Sequence, residues 1–165
     1  MVNKEGRAGY DAVKDEYKQT TSEGREICLE ALGQTSDEAL ARDFAGFIFS
    51  KEVAIQDNRY GAISLAGSDP GRHILWQFVV HNWDVVYAVL GPIPVLMARF
   101  IQDTLPSFAT YEMEQSIREF FQDKDSTGWD RPIAQVLDSV KTRAKYRERD
   151  EKLLLEWLTV HGYSK

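Results

Sequence analysis

The chain has 165 residues, enough for one ordinary domain and too few for two substantial ones. It is 43% hydrophobic and 28% charged, a globular composition, and its net charge of −6 argues against nucleic acid or an anionic membrane as partner. Cys28 is the only cysteine, which excludes an intramolecular disulfide and any cysteine-based zinc cluster. No uncharged stretch approaches the roughly 18 apolar residues of a membrane span, and the polar segment Met1–Arg7 does not read as a signal peptide. The expectation is a soluble, cytoplasmic domain with residues 1–8 flexible.

Helical periodicity then runs almost end to end. Tyr10 to Gln19 places Tyr10, Val13 and Tyr17 on one face. Ser22 to Leu32 pairs Ile27 with Ala31 and Cys28 with Leu32, and Gly33 stands where a helix stop is expected. Thr35 and Glu38 have capping-box spacing ahead of Leu40, Phe44, Phe47 and Ile48. Gln56 to Ala66 forms a short helix with Tyr60, Ile63 and Leu65. Asp69-Pro70 reads as an N-cap followed by proline at the first helical position.

Behind that cap, one stripe (Ile74, Leu75, Phe78, Asn82, Val85, Val86, Val89) and a second (Trp76, Val80, Trp83, Tyr87) predict a single helix covered on two sides. Val95 to Thr104 and Thr110 to Gln122 follow, separated by Leu105-Pro106. A polar loop then leads to a long helix, Asp130 to Arg149, and a last one holds Leu153, Leu154, Trp157 and Leu158 before Gly162. No period-2 alternation or hairpin turn occurs. The reading is all-α, about nine helices in antiparallel pairs, stacked as a degenerate helical-repeat solenoid with no exact repeat.

Self-contained chemistry is absent from the sequence. His73 and His81 lie about 12 Å apart along one predicted helix, too far to share a metal, and His161 stands alone. Asp123 to Gly128 imitates the first half of a calcium loop, but the position that needs a bidentate glutamate is Ala134. Cys28 lies on an apolar face and reads as packing. No nucleophile elbow or phosphate-binding glycine loop is present. One asymmetry remains: Lys141, Arg143, Lys145, Arg147, Arg149 and Lys152 outnumber Glu148, Asp150 and Glu151 in an otherwise acidic chain. Lys141, Lys145 and Arg149 form one helical stripe, either a solvated face or a patch attracting an anion such as a peptide carboxylate.

Several strings together resemble one family. They are REICLEALG from Arg25 to Gly33, Ser50 to Val53 with Gln56-Asp57, Trp76 to Phe78 with Asn82-Trp83-Asp84, Glu119 to Phe121, Asp123 to Asp125, Gln135 to Val140 and Glu156 to Leu158. The chain resembles the distal half of the C-terminal domain of puromycin-sensitive-type zinc aminopeptidases of the fungal cytosolic kind, over about residues 7–163. The resemblance implies a right-handed superhelix of HEAT- or armadillo-like pairs that covers a separate catalytic domain. That catalytic domain would hold the zinc and remove N-terminal amino acids from peptides, so this chain would carry no catalytic residue and no cofactor.

By the same resemblance the segment Arg99 to Phe108 borders the substrate cavity, making Arg99 and Phe108 candidate peptide contacts. Asn82 and Trp83 read as structural. The chain departs from the family where a basic residue often precedes Gln-Asp, since Val53, Ala54 and Ile55 stand there. The expected partners are the catalytic domain and peptide. An unfinished stacking face would let two copies associate as a homodimer. The alternative is a free-standing helical-repeat module that binds peptides or proteins.

Overall fold

A computed structural model describes residues 2–163, and the side chains of 6–163. Among the described residues every regular element is helical: α1 (Val2–Gln19), α2 (Ser22–Gly33), α3 (Glu38–Ile48), α4 (Asn58–Ala66), α5 (Asp69–His81), α6 (Trp83–Leu90), α7 (Pro94–Thr104), α8 (Tyr111–Gln122) and α9 (Asp130–Val160). The chain divides into two compact units, Met1–Thr104 and Leu105–Lys165. The all-α reading holds. Residues 2–8 lie in α1, with Gly6 breaking the helical backbone at φ 56°, and Met1 lies outside the described residues.

In the first unit α2 packs on α1 and α4, α3 on α5, and α4 on α5 and α7. α2 and α3 thus each meet the helix two places on, as stacked helix pairs do. Leu29, Leu32, Phe44, Ile48, Leu65 and Leu75 form a core at 2% exposure or less. Phe49 stacks on Phe78 at 5.6 Å and meets Phe100 edge-on at 5.7 Å, tying α5 and α7 to the end of α3.

Local chemistry sets the helix starts, with some differences from the sequence reading. Asp37, not Thr35, caps α3, accepting from the Ala39 and Leu40 amides at 2.8 and 3.1 Å. Its carboxylate is the stronger acceptor, and Thr35 Oγ1 instead takes the Asp37 amide. Ser68, not Asp69, caps α5. Gly33 is not a left-handed stop, because α2 ends at Gln34 with φ −86°. A Cβ on Gly33 would lie 2.6 Å from Ser64 Cβ and 2.7 Å from the Leu65 nitrogen. Glycine is there to let α2 touch α4, and Ser64 Oγ closes the contact by donating to the Glu30 carbonyl at 2.6 Å. The buried face of α4 is correspondingly small (Gly61, Ala62, Ala66 with Leu65), while Ile63 and, on α2, Ile27 point outward.

The single helix expected over 70–89 is two. Asn82 breaks it at φ −126°, its Nδ2 donating to the Phe78 carbonyl at 3.0 Å beside its own backbone N–H at 2.9 Å. The asparagine side chain competes for the helical acceptor, a propensity that the apolar stripes outweighed in the sequence reading. Of the second stripe, Trp76 is buried, whereas Val80 and Tyr87 are exposed. The helix is therefore not covered on two sides.

One buried carboxylate joins three segments. Asp57, 4% exposed, accepts from Tyr17 Oη at 3.0 Å and faces Arg25 Nε at 3.1 Å. The Ala54 amide donates to Tyr17 Oη at 3.1 Å. Burial, reinforced by the Asp57 bond, pushes the Tyr17 phenol above its ordinary value, so the hydroxyl stays protonated and donates. Asp57 stands at the N-cap of α4 but makes no side-chain cap bond, its carboxylate being engaged by α1 and α2. Asn58 fixes the next position through Nδ2, which donates to the Ile48 carbonyl.

In the second unit α8 packs on α9, burying Ile117 and Phe121 together with Ile133, Val136, Leu137, Val140 and Ala144. The calcium-like loop is closed on itself. Asp125 Oδ1 accepts from the Thr127 amide and hydroxyl at 3.0 and 2.6 Å, which lowers the Asp125 pKa, and Gly128 turns the chain at φ 91°. Trp129 stands at the N-cap of α9. The two helices expected after it are one of 31 residues, carried through the charged middle by pairs such as Arg147–Glu151 at 2.6 Å. It ends at Gly162, φ 75°, where the Tyr163 and Gly162 amides bond the Leu158 and Thr159 carbonyls. Beyond Ala144 none of its described side chains is buried.

Three substitutions test this packing. Gly33→Ala should cost about 1–3 kcal/mol, a fall of roughly 2–4 °C in Tm per kcal/mol, because the Leu65 backbone cannot yield to a methyl group. Gly46→Ala, whose Cβ would meet only Phe78 at 3.7 Å, should be neutral or stabilising in the same denaturant titration. Tyr17→Phe should cost about 1 kcal/mol at neutral pH. Because folding holds the phenol protonated, its contribution is full below its ordinary value of 10.0 and is lost as pH rises through the raised value. The variant should therefore show a shallower alkaline loss of stability than the parent chain.

Candidate functional site

The packing of α4 on α7 leaves a groove of about 250 Å³ inside the first unit. Ile55, Gln56, Asn58, Arg59 and Tyr60 line one side, and Leu90, Leu96, Arg99 and Phe100 the other. The Asp57 anchor positions the first wall, since the residues on either side of it in the chain face the groove.

The two guanidinium groups of the groove differ. Arg59 Nε bonds Asp103 Oδ2 at 2.7 Å, so its charge is neutralised within the protein. Arg99 is exposed and has no ion-pair or hydrogen-bond partner among the described residues. A guanidinium free of local partners can donate to a carbonyl, carboxylate or phosphate oxygen. Asn58 adds a buried acceptor, for its Oδ1 has no hydrogen-bond partner among the described residues. Apolar Leu90, Leu96 and Phe100 surround these groups. The lining thus combines a free cation, an unused amide oxygen and hydrocarbon, which suits a peptide segment better than a small inorganic ion.

The other sequence candidates lie elsewhere. Phe108 is 2% exposed in the second unit and presents no surface to a substrate as the chain stands. Lys141, Lys145 and Arg149 are all exposed on α9. The depression that Lys145 and Arg149 line with Thr142, Tyr146, Glu148 and Lys152 belongs wholly to that helix. Arg149 pairs with Asp150 at 2.7 Å and lies over the Tyr146 ring at 4.7 Å. This is a solvated helix face with no second wall. Asn82 serves the break described above, and Trp83 lies 5.7 Å from the Tyr87 ring on α6.

Among the described residues no group of three or more His, Cys, Asp or Glu side chains could hold a metal ion. His81 and His161 turn Nδ1 to the carbonyls of Gln77 and Trp157 one turn back, and His73 is exposed on α5. Cys28 is buried, and burial, followed by the charge of Glu16, raises its thiol pKa, the reverse of an activated nucleophile. No helix is long and apolar enough to cross a membrane among the described residues. Gln56, Asn58, Arg59 and Tyr60 were missed as groove residues in the sequence. Gln56-Asp57 was visible as a string, but what it faces depends on α7, some 40 residues later.

The comparisons with known proteins agree with one another. The chain is 26% identical over 158 residues to Aminopeptidase 2 of Candida albicans, covering 94% of this chain and 17% of that protein. It is 31% identical over 150 residues to Aminopeptidase M1-B of Oryza sativa, 89% of this chain and 17% of the relative. The Alanine/arginine aminopeptidase of Saccharomyces cerevisiae is 25% identical over 159 residues, 96% of this chain and 19% of the relative. The chain therefore spans less than a fifth of the length of these relatives. A family profile described as the ERAP1-like C-terminal domain matches residues 1–142, taking in α1 to α8 and the first part of α9. On that match the chain belongs to the ERAP1-like C-terminal domain family.

Proposed function

We propose that this chain is the non-catalytic C-terminal domain of a zinc aminopeptidase, closing the substrate chamber and helping to select the peptides whose N-terminal residues the parent enzyme removes. The relatives are aminopeptidases that carry the matched stretch as a minor share of their length, which leaves room in them for a separate catalytic domain. The partners would be that catalytic domain and peptide, and the compartment the cytoplasm. Among the described residues no group of side chains fits zinc, and the metal would sit in the catalytic domain.

The observation that carries the reading is Arg99, an unpaired cation in a groove that also holds apolar side chains and an unused acceptor. Its role would be binding, with Arg99 donating to a carbonyl or carboxylate oxygen of the peptide away from the bond that is cut. Such a contact acts equally on ground and transition states. Arg99→Ala in the full-length enzyme should raise KM for a longer peptide about tenfold with kcat nearly unchanged, and leave a short aminoacyl amide unaffected. Equal losses on both substrates, or no loss on either, would contradict a peptide-binding role.

A second outcome concerns the metal. Thermal melts of the chain followed by circular dichroism should superimpose with and without a chelator, because no ligand cluster couples metal to folding. A fall of several degrees on chelation would remove the assignment of zinc to another domain.

A further inference from the structure

Asn58 begins α4 and lines the groove, yet it is only 3% exposed. Its surroundings fix which way the side-chain amide points. The Ile48 carbonyl can only accept, so Nδ2 faces it and donates, which leaves Oδ1 on the other side of the amide. That oxygen is closed to water and has no hydrogen-bond partner among the described residues. A buried amide oxygen that accepts nothing is costly, and such groups are rare in native proteins. Arg59, its neighbour in the chain, is engaged by Asp103, and Arg99 across the groove makes no bond with it.

Resting on the peptide-binding reading of this groove and narrowing it, we propose that Asn58 sets its specificity by accepting an N–H from an amide of the bound chain, while Arg99 donates to an amide oxygen. Arg99 supplies only donors and Asn58 Oδ1 only an acceptor, so their complement is a group with both a C=O and an N–H. A peptide main chain repeats that pair at every residue, and a glutamine or asparagine side chain carries it once. A terminal carboxylate satisfies Arg99 but sets oxygen against oxygen at Asn58. Because Oδ1 is closed to water, an N–H that reaches it adds a hydrogen bond instead of exchanging one for another. Gln56 and Arg99, which share the groove, are exposed and can turn aside as the amide enters. Leu90, Leu96 and Phe100 are left for the apolar side chain beside that amide.

The isotope-labelled chain, unaltered in sequence, is titrated with a short peptide of glycine and alanine around one central leucine, acetylated and ending in a dimethylamide. Every N–H of this probe is main-chain, and the leucine fixes its register. Binding should move the Asn58 side-chain carbonyl carbon resonance together with the backbone amides of the groove. When the peptide nitrogens are methylated one at a time, one position should weaken binding about tenfold or more and abolish the Asn58 shift, the rest changing little. If that scan is flat but glutamine in place of the leucine moves the Asn58 resonance, the amide recognised is the side-chain one. An Asn58 resonance that stays put while the groove amides shift would overturn the proposal and leave peptide binding standing. So would much tighter binding of the same peptide with a free carboxylate end. No shift with any peptide would remove both.

Discussion

The Asp57 carboxylate sits where the start of α4 meets α1 and α2, and the placement of the groove depends on it. Tyr17 donates to it at 3.0 Å and Arg25 faces it at 3.1 Å. A carboxylate this deeply buried is tolerable only with such partners, and removing any one leaves the others desolvated and unmatched. The same anchor holds the chain between the end of α3 and the start of α4, so that Gln56 and Asn58, its neighbours, form one wall of the groove. Arg25 and Asp57 come from two of the strings that carry the family resemblance. They meet in space as a structural pair rather than as a catalytic one.

Above that anchor the electrostatics are simple. Asp103 neutralises Arg59, and Arg99 keeps its charge free in a chain whose net charge is −6. A free guanidinium among hydrocarbon can donate to a carbonyl, carboxylate or phosphate oxygen. The close approach of α2 to α4 at Gly33 and Ser64 packs the helix that carries Arg59 and Tyr60 against α2.

Much of the fold was legible in the sequence because helical burial has a strong period. Phe44, Phe47, Ile48, Leu75, Ile117, Val136 and Val140 were read as inside and are buried. The misses share a cause: each depended on a partner distant in sequence or on a polar side chain taking a backbone group. Asn82 breaks a helix whose apolar stripes continue past it, and Gly33 is explained by Ser64 rather than by its own backbone angle. The distal residues of α9 have the pattern of a core helix and lie exposed, since periodicity reports that a face wants cover, not what covers it. Arg99 was singled out through the resemblance alone. That it has no local partner is a property of the packed structure.

The account rests on the groove between α4 and α7 binding peptide. The most direct measurement is a nuclear magnetic resonance titration of the labelled chain with an unstructured peptide to millimolar concentration. Amide shifts should concentrate in Ile55–Tyr60 and Leu96–Phe100 and should largely vanish in Arg99→Ala. Shifts centred on α9, shifts that survive the substitution unchanged, or none at all would contradict it.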